Sequence, residues 1–252
     1  MWPHITIEMG PAQGQLHLYG LMLACGLITL FLGVDFAARR LGRDPEFIGR
    51  FHYCLLSAFL GGVLSAVLLT KLLYTPDAPW GNMAAMPGIL GGAAAMVGTA
   101  HWLKLPLRDW LPIALPFFCY AHAWGRLGCF LAGCCHGQPT TSLLGVQFPA
   151  DSMACAVHGQ VPVHPTQLYE LTLLAALGAS LQFVIRPDRR LPVYLLAYGL
   201  GRFGIEFLRG DDRGSLAIIP GLSPSQHLCL LFVAAGAWLA WRGTARREIQ
   251  ST

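Results

Sequence analysis

Residues 16–38 read LHLYGLMLACGLITLFLGVDFAA, an apolar run long enough to cross about 30 Å of hydrocarbon as one α-helix. Similar runs recur along the 252 residues, and together they predict seven transmembrane helices at 16–38, 51–74, 86–103, 110–131, 165–185, 191–209 and 224–241. The composition agrees, because 54% hydrophobic and only 12% charged residues leave too little polar surface to cover a soluble globule. The sequence therefore predicts an all-α polytopic membrane protein.

The positions of Lys and Arg predict how these helices are oriented. Positive charges follow the first, third, fifth and seventh predicted helices, at Arg39, Arg40, Arg43, Arg50, Lys104, Arg108, Arg186, Arg189, Arg190, Arg242, Arg246 and Arg247. Segments 75–85 and 132–164 contain neither residue type, and only Arg209 and Arg213 oppose the trend. Because short cytoplasmic loops retain positive charge, we expect the N-terminus outside the cytoplasm and the C-terminus inside. This orientation accounts for the net charge of +4, so nucleic acid is not expected as a partner.

The chain shows no internal repeat and no linker, which predicts a single integral membrane domain over residues 1–252. Its longest irregular piece is 132–164, which is rich in Gly, Pro, Thr and Ser. A connection of this length is rarely a passive turn. We expect it to form a functional cap on the outer face.

Two arginines fall inside predicted membrane helices, Arg126 and Arg202. Burying each one at a helix centre costs about 2.5 to 3.5 kcal/mol on translocon scales, so such residues usually face a cavity or a binding site. A structural ion pair is the alternative, since Glu206 lies four residues after Arg202 and shares its helix face. With Arg209 on the same face, however, the positive charges outnumber the negative one. A cationic cavity of this kind suits the phosphate of a lipid headgroup, because Arg presents a planar fork of donors.

The sequence also resembles a known family, the prolipoprotein diacylglyceryl transferases. The resemblance spans most of the chain and rests on four motifs in order, LHLYGL at 16–21, GRLG at 125–128, HPTQLYE at 164–170, and YGLGR at 198–202 followed by Glu206 and Arg209. It implies a transferase of the bacterial cytoplasmic (inner) membrane. The implied reaction moves a diacylglyceryl group from phosphatidylglycerol to the thiol of the lipobox cysteine in a prolipoprotein signal peptide, releasing glycerol phosphate.

The resemblance also implies roles for particular residues. As catalytic residues we expect Arg126, Arg202, Tyr19 and Tyr198. As substrate-binding residues we expect His17, His122, Glu206, Arg209, Gly137 and Gln167, the last of which could instead be structural or gating, as could Glu170. Neither a cofactor nor a metal is expected.

Two positions depart from the family pattern. Leu90 stands where the family carries a histidine, the natural base for the acceptor thiol, and Cys129 stands where it carries an asparagine. His17 or His122 could replace that base. These departures leave an alternative open, namely a non-catalytic relative that binds phospholipid or lipobox peptide, or an enzyme that acts on another acceptor.

Eight cysteines are present, and four of them, Cys25, Cys54, Cys119 and Cys229, lie in predicted membrane helices where Cys behaves as a small hydrophobic residue. In the outer segment we expect a disulfide between Cys155 and either Cys134 or Cys135, because that compartment is oxidising. A thiol-redox function or a metal site would also use these residues. The Cys134-Cys135-His136 sequence lacks the spaced Cys-x-x-Cys half-site of common zinc sites, which argues against a metal.

Overall fold

The computed structural model describes residues 4–9, 12–73, 85–211 and 219–251. Within these residues a β-hairpin is formed by β1 (His4–Met9) and β2 (Ala12–His17), and it is followed by eight α-helices. The helices are α1 (Leu18–Arg40), α2 (Pro45–Leu73), α3 (Ala85–Trp102), α4 (Leu107–Ala132), α5 (Met153–His158), α6 (Thr166–Phe183), α7 (Arg190–Glu206) and α8 (Pro224–Ser251).

The helical fold class is confirmed, since every predicted membrane segment coincides with one long helix of the structure. Helix α2 begins earlier than predicted, at Pro45, and α8 continues to Ser251. In the described part of the chain, α1 and the Pro45–Leu69 part of α2 are each apolar and long enough to cross a membrane. The chain is therefore a helical protein with at least these two segments suited to a bilayer.

The N-terminal β-hairpin was not predicted. Its strands pair antiparallel, with His4 opposite His17 and Met9 opposite Ala12, so α1 begins at Leu18 rather than at residue 16. The signal was present, because Ile5 and Ile7 alternate with polar neighbours and Gly-Pro, a turn dipeptide, separates the strands in the sequence. The expectation of an entirely helical chain was wrong for this segment.

The described residues within 31–113 form one compact unit, in which α2 and α3 pack through small residues. A Cβ added to Gly92 would lie 2.8 Å from the carbonyl oxygen of Ala58, and one added to Gly61 would lie 2.5 Å from the Cβ of Ala95. Only glycine allows backbones to approach this closely, as is common between helices in membranes.

The described residues within 1–30 and 114–252 form the second compact unit. Its segment between α4 and α6, which we call the α4–α6 segment, is ordered around a small apolar core of Phe148, Ala154 and Val163, with Phe130 packed against it. Isolated bridges pair Val163 with Val146 and Gly137 with Arg209. The segment is therefore a folded element and not a loose connection.

Candidate functional site

Three helices of the second unit bring four charged residues together, which we call the charge cluster: Arg126 from α4, Glu170 from α6, and Arg202 with Glu206 from α7. The Arg202 guanidinium contacts Glu206 Oε2 at 2.6 Å and Glu170 Oε2 at 3.4 Å. Arg126 reaches Glu170 Oε1 at 2.9 Å. One carboxylate thus joins the two arginines that the sequence singled out.

Glu170 is the centre of this arrangement, although the sequence suggested only a structural or gating role for it. Its side chain is fully buried, at 0% exposure. The Tyr198 hydroxyl donates a hydrogen bond of 2.9 Å to Glu170 Oε1, and His122 Nε2 lies 3.7 Å from the same oxygen. Such a buried carboxylate, shared by several donors, holds both guanidinium groups in defined positions.

The prediction that positive charge exceeds negative charge was wrong, because it included only Glu206 as a negative partner. Glu170 and Glu206 balance Arg126 and Arg202, and Arg209 forms a two-bond pair with Asp211 at 2.7 and 2.8 Å. The site nevertheless keeps unused donors. Arg126 Nε and Arg202 NH1 are buried and have no hydrogen-bond partner within the residues that the structure describes. These N–H groups are suited to the oxygens of a bound anion.

Aromatic rings line one side of the charge cluster. Tyr194 stacks on Tyr198 with ring centroids 5.6 Å apart, and the His122 ring lies 5.6 Å from that of Tyr198. Because both tyrosines are less than 10% exposed, they limit access of water to Glu170. The predicted residues His122 and Tyr198 are therefore both part of the cluster's surroundings.

Glu206 has a second contact that the sequence analysis missed. The Ser223 hydroxyl donates a 2.5 Å hydrogen bond to Glu206 Oε1. Ser223 precedes α8, where its hydroxyl accepts from the N–H of Gln226 at 3.3 Å and its own N–H donates to Gln226 Oε1 at 2.9 Å. This capping box connects the start of α8 to the cluster, and Ser-Pro-Ser-Gln at 223–226 was its signal.

Gly137 and Gln167, two predicted substrate-binding residues, contact backbone atoms of the α4–α6 segment in the structure. A Cβ on Gly137 would lie 2.6 Å from the carbonyl oxygens of His164 and Leu208, so this position requires glycine. Gln167 is fully buried and donates from Nε2 to the carbonyl of Cys134 at 2.6 Å. Both residues therefore fix the backbone of this segment close to the start of α6 and the end of α7.

Cys129, Cys134 and Cys135 form a second group, which we call the thiol cluster. Helix α4 ends at Ala132, and the φ of +68° at the following Gly133 reverses the chain, with the N–H of Cys134 bonded to the carbonyl of Cys129 at 3.1 Å. This helix-ending motif folds Cys134 and Cys135 back over Cys129. As a result, the three sulfurs lie within 4.8 Å of one another.

The predicted disulfide of Cys155 with Cys134 or Cys135 is not formed in the structure. Cys155 belongs to α5, where its N–H bonds to the Ser152 hydroxyl, whereas the turn at Gly133 directs the other two toward Cys129. Hydrogen bonds from Cys129 and Cys134, together with Arg209, hold the pKa of the Cys135 thiol below its ordinary value. For Cys134 the bond with Cys129 lowers the pKa, but the bond with Cys135 and burial raise it to about 11.

Tyr19 and His17 lie at the start of α1. Tyr19 packs on α4, since a Cβ on Gly128 would lie 3.0 Å from its ring, and it interacts electrostatically with Arg126 and all three clustered thiols. His17 ends β2 and is exposed. Leu90, at the position of the expected histidine, lies in α3 of the other unit and is 64% exposed.

Comparisons with known proteins identify the family of this chain. The sequence model of the family described as prolipoprotein diacylglyceryl transferase matches residues 5–242. A Clostridium perfringens protein named phosphatidylglycerol–prolipoprotein diacylglyceryl transferase 2 is 31% identical, covering 93% of this chain and 94% of its own. A Cupriavidus necator protein named phosphatidylglycerol–prolipoprotein diacylglyceryl transferase is 32% identical, covering 94% of this chain and 91% of its own. The chain belongs to the prolipoprotein diacylglyceryl transferase family.

Proposed function

We propose that this chain transfers the diacylglyceryl group of phosphatidylglycerol to the thiol of a lipobox cysteine in prolipoproteins, and releases glycerol phosphate. The names of its relatives, which align along nearly their whole length, support this reaction. The chain is thus an enzyme of the transferase class rather than a non-catalytic binding relative.

One observation carries the mechanism, which is that Arg126 and Arg202 converge on Glu170 from two helices while each keeps an N–H group without a hydrogen-bond partner among the described residues. In the reaction the acceptor sulfur attacks the glycerol carbon, the carbon–oxygen bond breaks, and negative charge grows on the departing phosphate. Guanidinium groups fixed beforehand in a site that excludes water stabilise the additional charge of the departing phosphate monoester more than they stabilise the singly charged phosphodiester of the substrate.

The remaining residues fall into three groups under this proposal. Glu170, Glu206 and Tyr198 position the arginines, while Tyr19 and His122 face the space beside them. His17, Arg209, Gly137 and Gln167 stay predictions as substrate-binding residues. Gly137, Arg209 and Gln167 contact the α4–α6 segment, which supports entry of the lipobox peptide from that side.

We further propose that all seven long helices cross the bacterial cytoplasmic membrane as one integral domain, with the N-terminus outside and the C-terminus in the cytoplasm. The Lys and Arg distribution supports this orientation. The thiol cluster would then face the outer leaflet, where lipoprotein precursors present their lipobox after export.

The direct test is release of glycerol phosphate from phosphatidylglycerol when the purified full-length protein receives a lipobox peptide. Arg126→Lys and Arg202→Lys should each lower turnover per folded molecule about 10² to 10³-fold, since a preorganised donor is lost. Arg39→Lys is the matched control, because Arg39 is 62% exposed and pairs with Asp35 one helical turn away.

The amount of folded protein is measured by size-exclusion chromatography in detergent, so that a stability defect is not counted as lost activity. Equal turnover of all three variants and the wild type would contradict the role of the two arginines. Absence of release by the wild type, with phosphatidylglycerol and peptide both bound, would instead support a non-catalytic relative.

A further inference from the structure

The proposed transfer leaves the thiol cluster unexplained. Cys129, Cys134 and Cys135 are only partly exposed, and their sulfurs converge without forming a disulfide. The sequence argument against a metal rested on the spacing of Cys134, Cys135 and His136. That spacing no longer decides the question, because the chain reversal at Gly133 brings Cys129 next to Cys134 and Cys135.

The geometry of the thiol cluster fits a single thiolate-bound metal ion. Zinc binds thiolates at about 2.3 Å, so three sulfurs on one tetrahedral ion lie roughly 3.8 Å apart. The three sulfurs here lie within 4.8 Å of one another, so small side-chain rotations bring all of them to one ion. This set provides three protein ligands, which in catalytic zinc sites leaves the fourth position open.

The cluster is also held by other parts of the fold. The buried Thr166 hydroxyl donates to the carbonyl of Cys135 at 2.8 Å, and Gln167 donates to that of Cys134. These bonds keep Cys135 in a left-handed conformation, with a φ of +61°, which is uncommon for a residue other than glycine. Strain that is maintained by surrounding contacts is frequent at functional sites.

Positive charge lies next to the sulfurs. Arg209 is 6% exposed, interacts with Cys135, and has a buried NH1 group with no hydrogen-bond partner among the described residues. Arg126 interacts electrostatically with Cys129 and Cys135 as well as with Glu170. One arginine of the charge cluster therefore adjoins the thiol cluster.

We propose that Cys129, Cys134 and Cys135 bind one zinc ion, and that its open fourth position takes the acceptor thiol. The zinc site itself needs only these three residues, whereas its use for the acceptor rests on the proposed transferase function. A free thiol has a pKa near 8.5 and is mostly protonated at neutral pH, although the thiolate is the nucleophile. Coordination to zinc makes the bound sulfur a thiolate.

The step balances without any oxidant. The acceptor thiol releases its proton to water as it binds zinc, and the zinc-bound sulfur attacks the glycerol carbon next to the phosphate ester oxygen. The new sulfur–carbon bond forms while the carbon–oxygen bond breaks, and its electron pair leaves with glycerol phosphate beside Arg126. The product is a neutral thioether, a weaker ligand than a thiolate, so it dissociates and reopens the site.

Metal content tests the first half of the proposal. Full-length protein purified in detergent should contain about one zinc ion per chain by inductively coupled plasma mass spectrometry. Cys134→Ser and Cys135→Ser should each lower that content at least tenfold, whereas the Cys155→Ser control should retain it. Zinc content that is equal in all four proteins, copper in place of zinc, or a disulfide within the cluster in freshly isolated membranes would overturn the proposal.

Cobalt substitution tests the second half without using activity. Removal of zinc by chelation and addition of Co²⁺ should produce thiolate-to-cobalt absorption, and a lipobox peptide should increase it by about one third as a fourth thiolate binds. A peptide with Ser in place of the lipobox Cys should not change the spectrum. An identical response to both peptides would refute acceptor binding, and because chelation uses the wild-type chain, misfolding of a variant cannot explain it.

These experiments separate the two hypotheses. If the zinc-free wild type releases glycerol phosphate as fast as the zinc-bound form, the zinc proposal fails and the transferase function stands. If the cobalt protein binds the peptide thiol but no form releases glycerol phosphate, the metal site stands and the proposed function fails.

Discussion

Replacing Glu170 by Gln should destabilise the protein far more than the same change at a surface position. The substitution keeps the shape of a side chain that is 0% exposed, but removes the charge that faces Arg126 and Arg202 at 2.9 and 3.4 Å. Removing one partner from a buried ion pair costs about 3 to 5 kcal/mol, because the other charge stays buried. At roughly 2 to 4 °C per kcal/mol for a chain of this size, the thermal midpoint should fall by about 6 to 20 °C.

The control is Glu46→Gln, because Glu46 is 71% exposed and pairs with Arg50 on the surface of α2. Exposed pairs contribute about 0 to 1 kcal/mol, so this midpoint should fall by no more than roughly 4 °C. Both variants are measured by fluorescence-detected size-exclusion chromatography after heating in the same detergent. Equal shifts for the two variants would refute the view that Glu170 holds the charge cluster together.

A double variant adds a check on the pairing itself. Combining Glu170→Gln with Arg126→Gln removes both charges, so the loss should be smaller than the sum of the single losses by about 0.5 to 3 kcal/mol. Additive losses would mean that the two side chains act independently, despite their contact in the structure.

Four further outcomes are expected. An alkaline phosphatase fusion after Gln160 should be active and one after Arg247 inactive, whereas the opposite pattern would contradict the proposed orientation. Gly137→Ala should cost about 1 to 3 kcal/mol by thermal unfolding, because the new methyl group meets two carbonyl oxygens. Gly204→Ala, with nothing within 4 Å of the new Cβ, should instead stabilise α7 by about 0.5 to 1 kcal/mol. Ser223→Ala should lower stability by about 0.5 to 2 kcal/mol, as expected for loss of a helix cap, and an unchanged midpoint would exclude that role.

Hydropathy predicted the long helices well because a membrane helix must present a continuous apolar run, and this requirement acts locally along the chain. Arg126 and Arg202 were found by the same reasoning, since a charge inside such a run needs a reason to be there. Glu170 met the same criterion, being a carboxylate in an apolar helix, but its partners lie on other helices. Spacing of three or four residues identifies neighbours on one helix only, so it found Glu206 and not Glu170.

The cysteines show a different limit of sequence reasoning. Pairing Cys155 with Cys134 or Cys135 followed from compartment and loop length, which say nothing about the direction of a side chain. That direction depends on the left-handed turn at Gly133, which was visible in the sequence only as a glycine near the end of a helix. A Gly placed after the last helical turn predicts chain reversal, and it would have placed Cys134 near Cys129.

The close packing of α2 on α3 makes neighbouring positions very unequal in their freedom to change. Gly91 and Gly92 cannot gain a methyl group without parting the two helices, whereas the adjacent Leu90 is 64% exposed and tolerates side chains of many shapes. Replacement of His by Leu at position 90 would therefore leave the packing of α2 on α3 unchanged. If another group deprotonates the acceptor thiol, a histidine at position 90 can be lost while the packing of the two helices is kept.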